Sequence, residues 1–197
     1  MEEPAANPID RVERFARGRA AVLTMAAWGA AEAIVFPVVP DVGLCLLVLA
    51  APSRTARLFA AVLLGALGGT LLLAAFASLA PDAARTVLLS VPGIDAAMLA
   101  DADRGLARDG IAGFAQFGPG APLKVYSVEW LRQGGDVVSL LLGAVINRIT
   151  RIGPALVVAA VIGQVAGPWL RRHARLTLGV YAAFWLAVYV AYFSGSV

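Results

Sequence analysis

Leu58 to Ala80 is an uncharged run of 23 residues, and Leu176 to Val197 is another of 22. At about 1.5 Å of rise per helical residue, each is long enough to cross a hydrocarbon core of about 30 Å. That core offers no water to backbone N–H and C=O groups, so a crossing segment must satisfy them internally, as a helix does. The two runs commit the chain to an all-α integral membrane fold. Composition agrees: with 60% hydrophobic and 15% charged residues, and a mean hydropathy of +0.79, the 197 residues are too apolar for an ordinary soluble domain.

The net charge of +3 does not signal nucleic acid, because Lys and Arg gather at the ends of apolar segments instead of forming a basic face. Arg11, Arg14, Arg17 and Arg19 before an apolar stretch resemble the start of a signal peptide, but Glu32 and the break beyond it fit that reading poorly. The lone Cys45 lies in apolar sequence, which leaves no disulfide framework or cysteine metal site and suits a small packing residue.

Ala20 to Ala31 supplies 12 uncharged residues; Glu32 and Pro37-Val38-Val39-Pro40-Asp41 follow, then 12 more uncharged residues from Val42 to Ser53. A helix cannot run through Pro-x-x-Pro, because each proline removes a donor and clashes with the preceding turn. Each arm reaches only about 18 Å, too short to cross alone. Together they either cross once as a broken helix or enter and return as a re-entrant hairpin. Arg11 to Arg19 precede the first arm and Arg54 and Arg57 follow the second, so the positive-inside bias puts both ends in the cytoplasm and favours the hairpin.

Leu58 to Ala80 then crosses outward into a segment, Pro81 to Gly110, where Asp82, Asp95, Asp101, Asp103 and Asp109 outnumber Arg85, Arg104 and Arg108. Ile94, Met98 and Leu106 suggest an amphipathic helix lying at the interface. Ile111 to Gly118 reads as a second short apolar arm, broken at Pro119-Gly120-Ala121-Pro122 and continued by Val125 to Leu131. Val137 to Leu170 reads as one long crossing bent at Gly153-Pro154, ending at the basic anchor Arg171 to Arg175. The expected organisation is a cytoplasmic segment 1–19, a membrane domain 20–170, and a basic loop with a C-terminal transmembrane helix over 171–197. Within the membrane domain the hairpins cover about 20–53 and 106–135, and the spans about 58–80 and 137–170. Three crossings and two hairpins entering from opposite faces make an inverted-topology repeat, with a conventional count of five or six helices as the alternative.

Glu32, Asp41, Lys124, Arg148 and Arg151 lie at membrane depth on this map. Each would cost about 2.5–3.5 kcal/mol or more at the centre of an isolated helix, so they should face one another or a wet cavity. Asp41 is either the N-cap of the arm that follows or, with Glu32, a carboxylate that binds and releases a proton. The structural alternative for Glu32 is a buried ion pair with Arg148 or Arg151. Lys124 either reaches a phosphate at the second break or snorkels to the interface. Arg148 and Arg151, at i and i+3, either clamp a phosphate together or anchor the end of a shorter helix. Glu129 and Asp136 are expected to be solvated at the outer rim, and Trp28 and Trp130 to pack or sit at the interface. Gly65, Gly68 and Gly69 would permit close helix packing, and His173 would stay cytoplasmic.

Taken together, Glu32, Pro37-Val38-Val39-Pro40-Asp41, Gly65-x-x-Gly68-Gly69, Pro122-Leu123-Lys124-Val125-Tyr126 and Asn147-Arg148-x-x-Arg151 resemble the DedA family, also called the SNARE-associated or VTT-domain family, in its YqaA-like branch. The resemblance covers roughly Ala20 to Gly163. It implies two opposed re-entrant hairpins turning at Pro37, Pro40, Pro119 and Pro122, and movement of phospholipid or undecaprenyl phosphate between leaflets of a bacterial inner membrane. It further implies that Glu32 and Asp41 couple protons and that Lys124, Arg148 and Arg151 handle phosphate.

The leading expectation is therefore a flippase- or scramblase-like lipid transporter, not an enzyme, with its N-terminus in the cytoplasm. Its expected partners are membrane lipids with anionic headgroups and protons, with a homo-oligomer left open and no nucleic acid, cofactor or metal. A small ion or solute channel, or a membrane assembly factor, is the alternative. An intramembrane lipid phosphatase fits less well, because His173 is the sole histidine and no His/Asp/Glu cluster has metal-ligand spacing.

Overall fold

The computed structural model describes residues 7–115 and 120–194, where every element is helical and there are no strands. Pro119 and most of the turn before it lie outside the described residues. Three helices are long and apolar enough to cross a membrane: Pro52–Leu79, which joins a short 3-10 turn to α4 (Thr55–Leu79), α8 (Val137–Arg172) and α9 (Ala174–Phe193).

The chain begins with α1 (Pro8–Arg17), whose start is fixed by Pro8 in the first turn and by the Asn7 side chain accepting from Ile9 N–H at 3.0 Å. Arg171 at the end of α8 donates to Asp10 at 2.8 Å and to Glu13 at 2.5 Å, and Asn7 donates to the Arg171 carbonyl at 2.7 Å. These bonds dock the N-terminal segment, expected only to precede the membrane domain, onto one end of α8.

The first proline break falls where the sequence places it. Helix α2 (Arg19–Ile34) stops before Pro37, and α3 (Asp41–Ala50) starts directly after Pro40. The intervening turn is tied back by the Trp28 indole N–H, which donates to the Val38 carbonyl at 2.8 Å.

Helices α2 and α4 touch backbone to backbone. A Cβ at Gly29 would collide with the Val62 carbonyl oxygen, one at Gly65 with that of Ala26, and one at Gly69 with that of Ala30. Between lipid-embedded helices burial of apolar surface supplies little drive, so this approach is what makes the contact favourable. Gly68, expected to share the role, faces open space.

In the second half α5 (Pro81–Leu89) and α6 (Ala96–Asp109) bury Leu88, Ile94, Leu99 and Ala102 against Leu73, Val125 and Val128. The amphipathic pattern around Met98 and Leu106 is thus real, and its apolar face is turned onto protein. The arm expected from Ile111 to Gly118 is different: α6 runs on into a 3-10 turn, Gly110–Phe114, and extended backbone at Ala115. Its described part, 110–115, carries glycines at 110 and 113 and supplies the Phe114 ring as a plug among Leu106, Leu123, Leu140 and Ala144, while residues 116–118 of the expected arm lie outside the described residues.

Past Pro122 the chain enters α7 (Leu123–Arg132), then α8, whose first turn is capped by the Asp136 side chain accepting from Ser139 N–H at 2.9 Å. Helix α8 holds Pro154 and Pro168 within its 36 residues. The short helices pack crosswise, α3 against α8 and α7 against α4. Helix α9 contributes only Ala174 and Thr177 to the buried set, and it leaves Val180, Phe184, Leu186 and Val190 exposed.

Candidate functional site

Glu32 lies in the last turn of α2, Arg148 about a third of the way along α8 and Lys124 at the start of α7; each is 1% exposed. Glu32 Oε2 accepts from Arg148 Nη2 in an ion pair that joins the first half of the chain to the second. An isolated charge buried this deeply would cost several kcal/mol, so pairing is the condition for either residue to be here. Of the two partners the sequence allowed for Glu32, the one found is Arg148.

Lys124 does not snorkel. Its Nζ donates to the backbone carbonyls of Glu32 at 2.9 Å and Phe36 at 2.8 Å. Those carbonyls stand at the end of α2, where the final turn lacks helical donors and carries the negative end of the helix dipole, so a cation is favoured there. The lysine closes the first proline break from across the molecule.

Asp41 is not an N-cap. Pro40 holds that position, Asp41 is the first helical residue, and its side chain makes no capping bond. Asp41 Oδ1, Glu32 Oε1, Arg148 Nε and Arg151 Nη1 are all shielded from solvent with no hydrogen-bond partner among the described residues. Buried polar atoms are rarely left so.

Three of these residues line one cavity of about 510 Å³: Glu32, Asp41 and Arg151. Pro37 and Val39 from the first break and Gly120 and Pro122 from the second complete that side, and the ring-bearing face of α9 closes the other with Trp185, Tyr189 and Tyr192. From sequence, Arg148 and Arg151 are expected to clamp a phosphate together and Lys124 to reach one at the second break. Only Arg151 lines the cavity, while Arg148 and Lys124 are engaged behind it. At i and i+3 the two arginines share a broad face, but the intervening α2 carboxylate takes one of them.

One expectation near the second break needs correction. Glu129 is not solvated: it is fully buried, with Oε2 accepting from Arg132 Nη1 at 2.7 Å and Oε1 lying 3.9 Å from Arg85 Nε. The i, i+3 spacing of Glu129 and Arg132 was the available signal. Asp136, by contrast, is the exposed cap of α8. Trp130 packs edge-on against Phe114, centroids 5.8 Å apart, and its N–H donates to the Asp136 carbonyl at 3.1 Å.

Sequence reasoning missed the role of α9. Tyr181 donates to the Val42 carbonyl at 2.6 Å, Val39 N–H donates to the Tyr189 hydroxyl at 2.9 Å, and Tyr192 donates to the Gly93 carbonyl at 3.0 Å. The aromatic spacing at 181, 185, 189 and 193 is the signal in the sequence that these rings share one helix face. Asn147 was also missed: fully buried, it donates to the Phe114 carbonyl at 3.0 Å and holds the 3-10 turn to α8.

No cluster of three metal-ligating side chains occurs among the described residues. Comparison with family models, with curated proteins and with solved structures finds no match for this chain.

Proposed function

We propose that this chain is a DedA-like (VTT-domain) transporter that moves a phosphate-bearing lipid between leaflets, with α2–α3 and the segment ending in α7 acting as opposed re-entrant hairpins. The observation that carries the reading is a largely apolar cavity, to which both proline breaks contribute and into which two carboxylates and a guanidinium bring atoms without partners. Irregular backbone and ionisable groups at membrane depth are tolerated where they line a cavity or bind a substrate. The crosswise packing of α3 on α8 and α7 on α4 supports an inverted repeat, since each half then lends its short helix to the span of the other.

In this mechanism Arg151 meets the phosphate, its planar N–H groups matching the phosphate oxygens. Asp41, facing it in the same cavity, takes and releases the coupling proton. Glu32, Arg148 and Lys124 hold the two breaks together, and protonation of Glu32 would release Arg148 toward the cavity, so the ion pair doubles as a latch. The basic clusters at Arg11–Arg19, Arg54–Arg57 and Arg171–Arg175 then lie on the cytoplasmic side of a bacterial inner membrane.

The test is lipid movement in proteoliposomes of defined composition, with and without a pH gradient, using a fluorescent phospholipid and labelled undecaprenyl phosphate. Transport by the wild type that is lost in Arg151→Ala and loses its pH response in Asp41→Asn is the expected outcome. Wild-type rates in both variants would sink the mechanism, and ionic conductance without lipid movement would replace it with a channel.

A further inference from the structure

Two cavities lie end to end along α9. The polar cavity, so named for Glu32, Asp41 and Arg151 although most of its surface is apolar, is walled by α9 from Phe184 to Tyr192. On the other side of Trp185, toward His173, a second cavity of about 730 Å³ opens between α8 and α9. Val158, Ile162 and Trp169 of α8 face Leu176 and Val180 of α9 across it, with Leu49 of α3 at its side. The hydroxyls along this wall point elsewhere: Tyr181 donates to the Val42 carbonyl and Thr177 to the Leu170 carbonyl. Phe184 and Trp185 line both cavities, which places them side by side along α9.

We propose that this groove binds a single hydrocarbon chain of an amphiphile whose phosphate-bearing head occupies the polar cavity. The proposal rests on the lipid reading above and extends it from the head to the chain. Three observations carry it. The unpartnered atoms of Glu32, Asp41 and Arg151 call for a polar occupant at one end, whereas the groove offers only apolar surface at the other. The groove lies between two helices that are each long and apolar enough to cross a membrane, so hydrocarbon is the medium that meets it. A second protein helix, about 10 Å wide, does not fit where α8 and α9 converge, because only His173 separates Arg172 from Ala174. A chain of methylenes does.

The register on α9 also gives a direction. From Leu176 to Tyr192 the helix rises about 24 Å, with the groove on the half nearer the Arg171–Arg175 cluster and the polar cavity on the half away from it. With that cluster in the cytoplasm, the head sits in the outer half of the bilayer and the chain hangs inward. That is the orientation of an outer-leaflet lipid.

The experiment uses the full chain in lipid nanodiscs doped with a phospholipid that carries a diazirine at the end of one acyl chain, with adducts mapped by peptide mass spectrometry after irradiation. Adducts should concentrate on residues 154–162 and 176–185, about tenfold above the exposed face of α4 at Leu64 and Leu72. Val158→Trp and Ile162→Trp enlarge exposed groove residues that the fold tolerates, and each should lower groove labelling severalfold while leaving α4 labelling unchanged. Equal labelling of groove and α4, or groove labelling indifferent to both variants, overturns the proposal. Lipid movement measured on the same protein separates it from the transport reading. Preferential groove labelling without lipid movement overturns transport and leaves the chain site standing, and lipid movement without preferential labelling overturns the chain site alone.

Discussion

The contact of α2 with α4 and the contact of α9 with the rest of the molecule are made by opposite means. Gly29, Gly65 and Gly69 bring α2 and α4 so close that no Cβ fits between them. Helix α9 instead stands off, tethered by three tyrosines to the turns at 39–42 and 93, and cavities of about 510 and 730 Å³ remain beneath it. Apolar burial does not pull helices together in lipid, so a contact is either close-packed or polar. The close-packed one makes a rigid body. The polar, tethered one leaves room for a ligand and can be loosened one bond at a time.

The largest effect expected in the rigid body comes from the pair that locks its two halves. Glu32→Ala leaves Arg148 buried without its carboxylate and should cost about 3–5 kcal/mol, read as loss of thermal stability in detergent. Glu32→Ala with Arg148→Ala should recover part of that loss. A single variant as stable as the wild type would show that the body does not depend on the pair.

Next are two glycines three residues apart on α4. Gly65→Val drives side-chain atoms into the Ala26 carbonyl and should cost about 3 kcal/mol, the upper end for overpacking. Gly68→Ala, which meets nothing within 4 Å, should be neutral or stabilise by up to about 1 kcal/mol through helix propensity. If the two behave alike in a thermal-shift measurement, close approach is not what holds α2 to α4.

On the tethered side the expected cost is smaller and the consequence more local. Tyr181→Phe and Tyr189→Phe each remove one hydrogen bond worth about 0.5–1.5 kcal/mol, so the double variant should melt within about 3 kcal/mol of the wild type. Hydrogen exchange should nonetheless quicken in α9 and in the turn before α3, while α2 and α4 stay protected. Uniform protection loss would mean that α9 belongs to the rigid body after all.

These contrasts also explain what could be read from sequence. The spans, the stop of α2 before Pro37 and the restart of α3 after Pro40 follow from charge-free length and from the missing proline donor, both local properties. The Glu32–Arg148 pair was one of two options because burying an acid requires some base, and the sequence holds several. That Lys124 caps α2 and that Tyr189 holds Val39 could not be read, since their partners lie far along the chain or depend on which face α9 turns inward. The second break differed from the first for a related reason. Apolar residues from Ile111 onward looked like an arm of the first kind, but Gly110 and Gly113 favour a turn, and the Phe114 ring found a pocket against Gly143.

The smallest effect concerns α1, which packs Ile9 and Ala16 into the body and adds ion pairs from Asp10 and Glu13 to Arg171. The Glu13 carboxylate is held below the usual carboxylate range by hydrogen bonds from Arg17 and Arg171. Because its pKa is lower folded than unfolded, its stabilisation is fully present above the unfolded value near 4.5 and is lost as pH falls through the depressed folded value. Arg171 is about two-fifths exposed, so screening limits the contribution to well under about 1 kcal/mol. Acidification below pH about 4, or Glu13→Gln at neutral pH, should therefore speed proteolysis at Gly18 between α1 and α2 with no change in the melting of the membrane body. The effect of acid should be smaller in Glu13→Gln, which keeps only the Asp10–Arg171 pair, and reduced by salt. If acid instead loosens α2 and α4 along with α1, the N-terminal helix is part of the rigid body, and the boundary between tight and tethered contacts must be redrawn at α9 alone.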